Sequence, residues 1–74
     1  VTGYLVRVRE YGSPARTIRT CRHELDAVQV AGRLVDVHDR DGVRRYDVID
    51  IVHRRKIIRA WEQGTPIGPP RGAA

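Results

Sequence analysis

Seventy-four residues, a formal net charge of +5 and a single cysteine describe one small basic domain, in which neither an intramolecular disulfide nor a cysteine-based zinc cage can be built. No apolar run approaches the ~20 residues of a membrane span and the N-terminus lacks a signal-peptide pattern, so a cytoplasmic protein with no membrane partner is expected. A chain this short buries only roughly 60% of its unfolded surface, and stability borrowed from a second copy or another partner is the usual remedy.

Arginine supplies all the basic residues except Lys56, and Asn, Phe and Met are absent. This bias is expected of GC-rich coding DNA and points to a GC-rich bacterium or its phage. A start on Val1 would follow from removal or truncation of the initiator. The charge is segregated along the chain. Residues 1–22 set Arg7, Arg9, Arg16, Arg19 and Arg22 against Glu10, a net +4. Residues 23–53 set Arg33, Arg40, Arg44 and Arg45 against Glu24, Asp26, Asp36, Asp39, Asp41, Asp47 and Asp50, a net −3. Residues 54–74 set Arg54, Arg55, Lys56, Arg59 and Arg71 against Glu62, a net +4. Such asymmetry is informative about partners rather than fold.

The first element is YLVRVREY, residues 4–11. Tyr4, Val6 and Val8 alternate with Leu5, Arg7, Arg9 and Tyr11, the period-two pattern of a strand. Gly12-Ser13-Pro14 is turn chemistry, and ARTIRT, residues 15–20, returns as a second strand with Ile18 inward and Thr17 and Arg19 outward. From Cys21 to Gly42 an amphipathic stripe of Leu25, Val28, Gly32 and Val35, with Ala31 filling in, predicts a helix lying on a sheet. Glu24 and Asp26 suit its first turn, Thr20 is the expected N-cap, and Gly42 the stop signal. The rival reading, favoured by the valines, makes two strands over roughly 27–31 and 33–38 turning at Ala31-Gly32. The stripe outweighs a propensity penalty of only a few tenths of a kcal/mol per valine.

Beyond Asp39-Arg40-Asp41-Gly42, the runs RRYDVIDIV and IIRAW flank His53-Arg54-Arg55-Lys56. A helix over 47–61 would have its apolar stripe interrupted at Arg55 and Arg59, so two strands joined by a basic turn are expected. GTPIGPPRGAA has few anchoring hydrophobics, and residues 63–74 read as a disordered tail. The assembled expectation is an α+β domain over residues 1–62 with ββαββ order, a four-stranded antiparallel sheet carrying one helix on one face. With YLVRVREYG, LDAVQVAGRLVD, RDGVRRYDV and a closing strand ending at Trp61, this order resembles short uncharacterised proteins of actinobacteria and their phages. The resemblance is one of element order over residues 4–61, and it implies provenance and fold but no activity.

One helix covers one face of such a sheet, and the other must be solvated or meet something. By strict alternation the uncovered face carries Leu5, Arg7, Arg9, Tyr11, Thr17, Arg19, Ile57, Arg59 and Trp61. Arginines interleaved with aromatic rings are the ingredients of a single-stranded nucleic-acid platform. The acidic residues are expected on the helix and its exit loop, away from this face. Arg54, Arg55 and Lys56 add a basic hairpin tip able to grip a phosphate backbone. The competing readings are a solvated face, with arginines paired across strands to Asp47 or Glu10, and a protein-interaction face. The latter would serve a homodimer or a phage-type regulator docking on a host protein, with Leu5, Ile57 and Trp61 favouring burial.

Metal and enzyme readings fare poorly. Cys21 and His23 form one short-spaced pair, with His38 and His53 distant, whereas zinc needs three or four converging ligands. His38 reads instead as a cap near the helix C-terminus. Ser13, the only serine, lies in a turn without a glycine elbow, and no P-loop or dinucleotide fingerprint is present. Asp39 and Asp41 lack EF-hand spacing. A non-enzymatic binding protein without cofactor is expected.

Overall fold

The computed structural model describes residues 3–67. Its elements are β1 (Tyr4–Glu10), β2 (Arg16–Cys21), α1 (Glu24–Val35), β3 (Tyr46–His53), β4 (Lys56–Glu62) and β5 (Thr65–Pro66). The strands form one antiparallel sheet in the order β2-β1-β3-β4-β5, with α1 crossing one face between β2 and β3. The α+β class and the helix therefore stand, and the two-strand alternative for the middle segment does not. The count of four strands is corrected to five. Gln63 and Gly64 turn the chain back with φ of 48° and 83°, the backbone signature of a type I′ hairpin, and Thr65–Pro66 adds a short edge strand. The expected tail begins too early at Gln63, and residues 68–74 lie outside the described residues.

Three fully buried large side chains, Val6, Val8 and Ile51, form the centre of the core. Ala27 and Ala31 press against them from α1, both fully buried. The buried stripe of the helix thus runs through Ala27, Ala31 and Leu34, flanked by Val28 and Val35. Leu25, expected inside, is 67% exposed, and Gly32 is exposed as well. The reason is steric: alanine lets a helix approach closely where the sheet already supplies bulky β-branched side chains.

Both helix ends differ from the sequence expectation. The N-cap is His23, in extended conformation and without a side-chain cap. Thr20 cannot cap because it is still paired with Leu5 in the sheet. The helix stops at Val35, well before Gly42, where the Asp36 amide bonds back to Arg33 and Val37 turns to accept from Arg45. Asp39 orders the following loop by accepting from the amides of Asp41 and Val43 at 2.8 and 3.0 Å. His38 Nδ1 lies 2.7 Å from the Asp36 carbonyl, satisfying one helix-end acceptor. Arg44 donates to the Val35 carbonyl and passes under the Gln63-Gly64 turn, where a Cβ on Gly64 would overlap its guanidinium.

Candidate functional site

Paired residues on adjacent strands share a face, so register assigns each side chain. Toward α1 lie the rows Cys21, Tyr4, His53 and Lys56; then Arg19, Val6, Ile51 and Arg59; then Arg16, Val8, Ile49 and Trp61. The uncovered face carries the rows Thr20, Leu5, Val52 and Ile57; then Thr17, Arg7, Asp50 and Ala60; then Arg9, Val48 and Glu62. Val52 and Ala60 stand outside the core cluster, as expected of the far side of the sheet, although both are buried.

Three β-bulges separate this pattern from strict alternation. The register slips at Ile18 in β2, at Asp47 in β3 and at Ile58 in β4. Each bulge sets two residues against one and moves the rest of its strand to the opposite face. Arg7, Arg9, Thr17, Leu5 and Ile57 therefore lie on the uncovered face as expected, while Arg19, Arg59 and Trp61 do not. Arg59 pairs with Glu24 of α1 at 2.9 Å, and Trp61 packs against the core. Arg19 lines a shallow groove of about 270 Å³ between β2 and α1, beside Asp26 and Arg33. Ile18 is exposed rather than inward. Tyr11 is exposed in the turn beyond β1. None of the rows on the uncovered face contains an aromatic ring.

β3 carries Asp47 and Asp50 onto the arginine face, which corrects the expectation that the acidic residues lie away from it and bears out the alternative of an arginine paired across strands to Asp47. Arg7 makes a bidentate pair with Asp50, Nε to Oδ1 at 2.8 Å and Nη2 to Oδ2 at 3.0 Å. Asp50 is only 7% exposed, the single buried charged residue of the described chain. Its hydrogen bond raises the pKa of Arg7 further above the ordinary value, with burial opposing and the Asp50 charge adding. Arg9 pairs with Asp47 at 2.9 Å. The face therefore offers neither rings for stacking nor free guanidiniums in number.

A contiguous run of cations without ion-pair partners among the described residues lies elsewhere, at one end of the sheet. Cys21, Tyr4, His53 and Lys56 form one row across four strands, so Arg22 and the 54–56 tip stand at the same end of the sheet, roughly 14 Å apart at ~4.8 Å per strand. The Arg54-Arg55 turn has φ of 52° and 66°, again the type I′ signature, but built from two residues with side chains. Its base is anchored by the His53 ring, stacked on Tyr4 at 4.0 Å and 8°, with Nδ1 3.1 Å from the Gly3 carbonyl. Among the described residues no carboxylate lies within 4.0 Å of the Arg22, Arg54, Arg55 or Lys56 side-chain nitrogens.

The chain matches no family model, no curated protein and no solved structure. Nothing in these comparisons bears on the expected likeness to actinobacterial and phage proteins.

No group of three or more His, Cys, Asp or Glu suited to a metal is found among the described residues, and none of their helices is long and apolar enough to cross a membrane. Cys21 is free and buried, paired across strands with Tyr4. What sequence reasoning missed is the neutralising role of Asp50. Its position three residues after Asp47, with apolar residues between, is legible, but its face depends on the bulge.

Proposed function

We propose that this is a non-enzymatic nucleic-acid-binding protein of a GC-rich bacterium or its phage, gripping the phosphate backbone with one basic end rather than stacking bases on its sheet. Arg54, Arg55 and Lys56 form the grip and Arg22 extends it. The observation that carries this reading is the hairpin tip itself: three consecutive cations without a carboxylate partner among the described residues, on a turn whose two central residues hold positive φ. Positive φ costs roughly 1–2 kcal/mol for an ordinary side chain, and strain of this kind accumulates where the local arrangement is used. The pairing of Arg7 with Asp50 and Arg9 with Asp47 argues against the sheet face as the anionic contact, because a guanidinium already neutralised releases few counterions on binding.

Backbone recognition has a defined salt signature. Log K falls with log[salt] by roughly 0.7 per phosphate contact on single strands and roughly 0.9 on duplex. Fluorescence anisotropy with labelled single-stranded and duplex oligonucleotides across a salt series tests it. The variant Arg54→Ala/Arg55→Ala/Lys56→Ala is expected to lower the slope by roughly 2 on single strands with the fold intact by circular dichroism. Absence of binding to either form at low salt, or an unchanged slope in the variant, defeats the reading.

A further inference from the structure

The uncovered sheet face is divided by sign. On it, β1 contributes Arg7 and Arg9, whereas β3 contributes Asp50 and Asp47. β1 and β3 are also the two middle strands of β2-β1-β3-β4, so the four strands are laid out symmetrically about the line between them. A twofold axis along that line, in the plane between two facing sheets, lays β1 of one copy over β3 of the other and β2 over β4. Register then decides what meets what. Leu5 falls over the partner's Val52, Thr20 over the partner's Ile57, Thr17 over the partner's Ala60 and Arg7 over the partner's Asp50. Arg9 falls beside the partner's Asp47. No like charges are opposed, and the apolar row meets itself.

We propose that this face is the interface of a symmetric homodimer, two sheets packed face to face with Arg7, Arg9, Asp47 and Asp50 of each copy interleaved at the centre. A face of one sign would repel its own copy, whereas one split between adjacent strands is complementary to it. The small core points the same way, with Leu5 and Ile57 only partly buried on the outside of a 74-residue chain. Four strands at ~4.8 Å by about five residues at ~3.4 Å make a patch of roughly 19 by 17 Å. That is small for an obligate dimer, so association is weak and concentration-dependent. Dimerisation is independent of nucleic-acid binding but has a consequence for it. Rotation about an axis parallel to the strands keeps both hairpin tips at one end, roughly 14 Å apart for sheets ~10 Å apart.

Sedimentation velocity from micromolar to millimolar protein, without nucleic acid, tests the interface. The mass is expected to rise from one chain to two, and Ile57→Lys to weaken dimerisation by about tenfold or more. Arg9→Glu and Asp47→Lys alter the exposed pair, so neither threatens the fold; each alone is expected to weaken dimerisation by about tenfold, and an equimolar mixture to restore it as a heterodimer. Thermal melts verify that every variant is folded. A single-chain mass at the highest concentration overturns the proposal. So does a dimer indifferent to Ile57→Lys, or a mixture of the two charge variants that stays monomeric.

Discussion

Replacing Arg54-Arg55 by Asn-Gly separates what the hairpin tip does for the fold from what it does for a ligand. Both arginines hold positive φ, at 52° and 66°, where a Cβ crowds the following carbonyl at a cost of roughly 1–2 kcal/mol per residue. Asn tolerates this region and glycine has no Cβ, which is why Asn-Gly dominates two-residue hairpins. Against the relief stands the greater freedom of glycine in the unfolded chain, roughly 0.4–1 kcal/mol. The net expectation is a gain of about 1–2 kcal/mol, or roughly 5–15 °C in melting temperature for a domain of this size. The urea midpoint should rise with an unchanged slope. Two of the three tip cations are lost, so the salt slope on single strands should fall by roughly 1.4. Stability and binding move in opposite directions. A variant no more stable than the parent would refute the strain argument, and a stabilised variant with unchanged binding would refute the placement of the ligand.

Other substitutions probe the remaining assignments. Asp50→Ala leaves Arg7 without its bidentate partner and should cost about 2–3 kcal/mol by urea denaturation, with a double-mutant cycle against Arg7→Ala showing a coupling of about 1 kcal/mol or more. Trp61→Ala removes a ring packed against the core and should cost about 2–4 kcal/mol; a loss of binding without loss of stability would return Trp61 to the ligand surface. Gly64→Ala combines positive φ with overlap on the Arg44 guanidinium and should lower stability by about 1–3 kcal/mol, read as a drop in melting temperature.

Element order was legible because it rests on local signals. Alternation in YLVRVREY marked β1, the interrupted stripe around Arg55 and Arg59 turned 47–61 into a hairpin, and carboxylates at Glu24 and Asp26 marked where α1 begins. The short β5 was missed because Gln63-Gly64 reads as the start of a Gly/Pro tail. A two-residue turn with positive φ leaves little trace when its first residue is glutamine. The helix face was misjudged for a different reason. Hydrophobicity points to Leu25, whereas the sheet selects Ala27 and Ala31 for their small size.

The candidate site divides along the same line. The basic tip is contiguous in sequence, so Arg54, Arg55 and Lys56 could be read directly. The sheet face could not, because it depends on counting residues across pairs of strands. One extra residue at Ile18 and another at Ile58 send Arg19, Arg59 and Trp61 to the helix side, and the bulge at Asp47 puts Asp47 and Asp50 beside Arg9 and Arg7. A bulge is a compromise between two strands and the groups packed on them, so neither strand encodes it alone. The sequence determined that the charge would be displayed on strands and a turn. Only the tertiary structure decided which of those charges remain free.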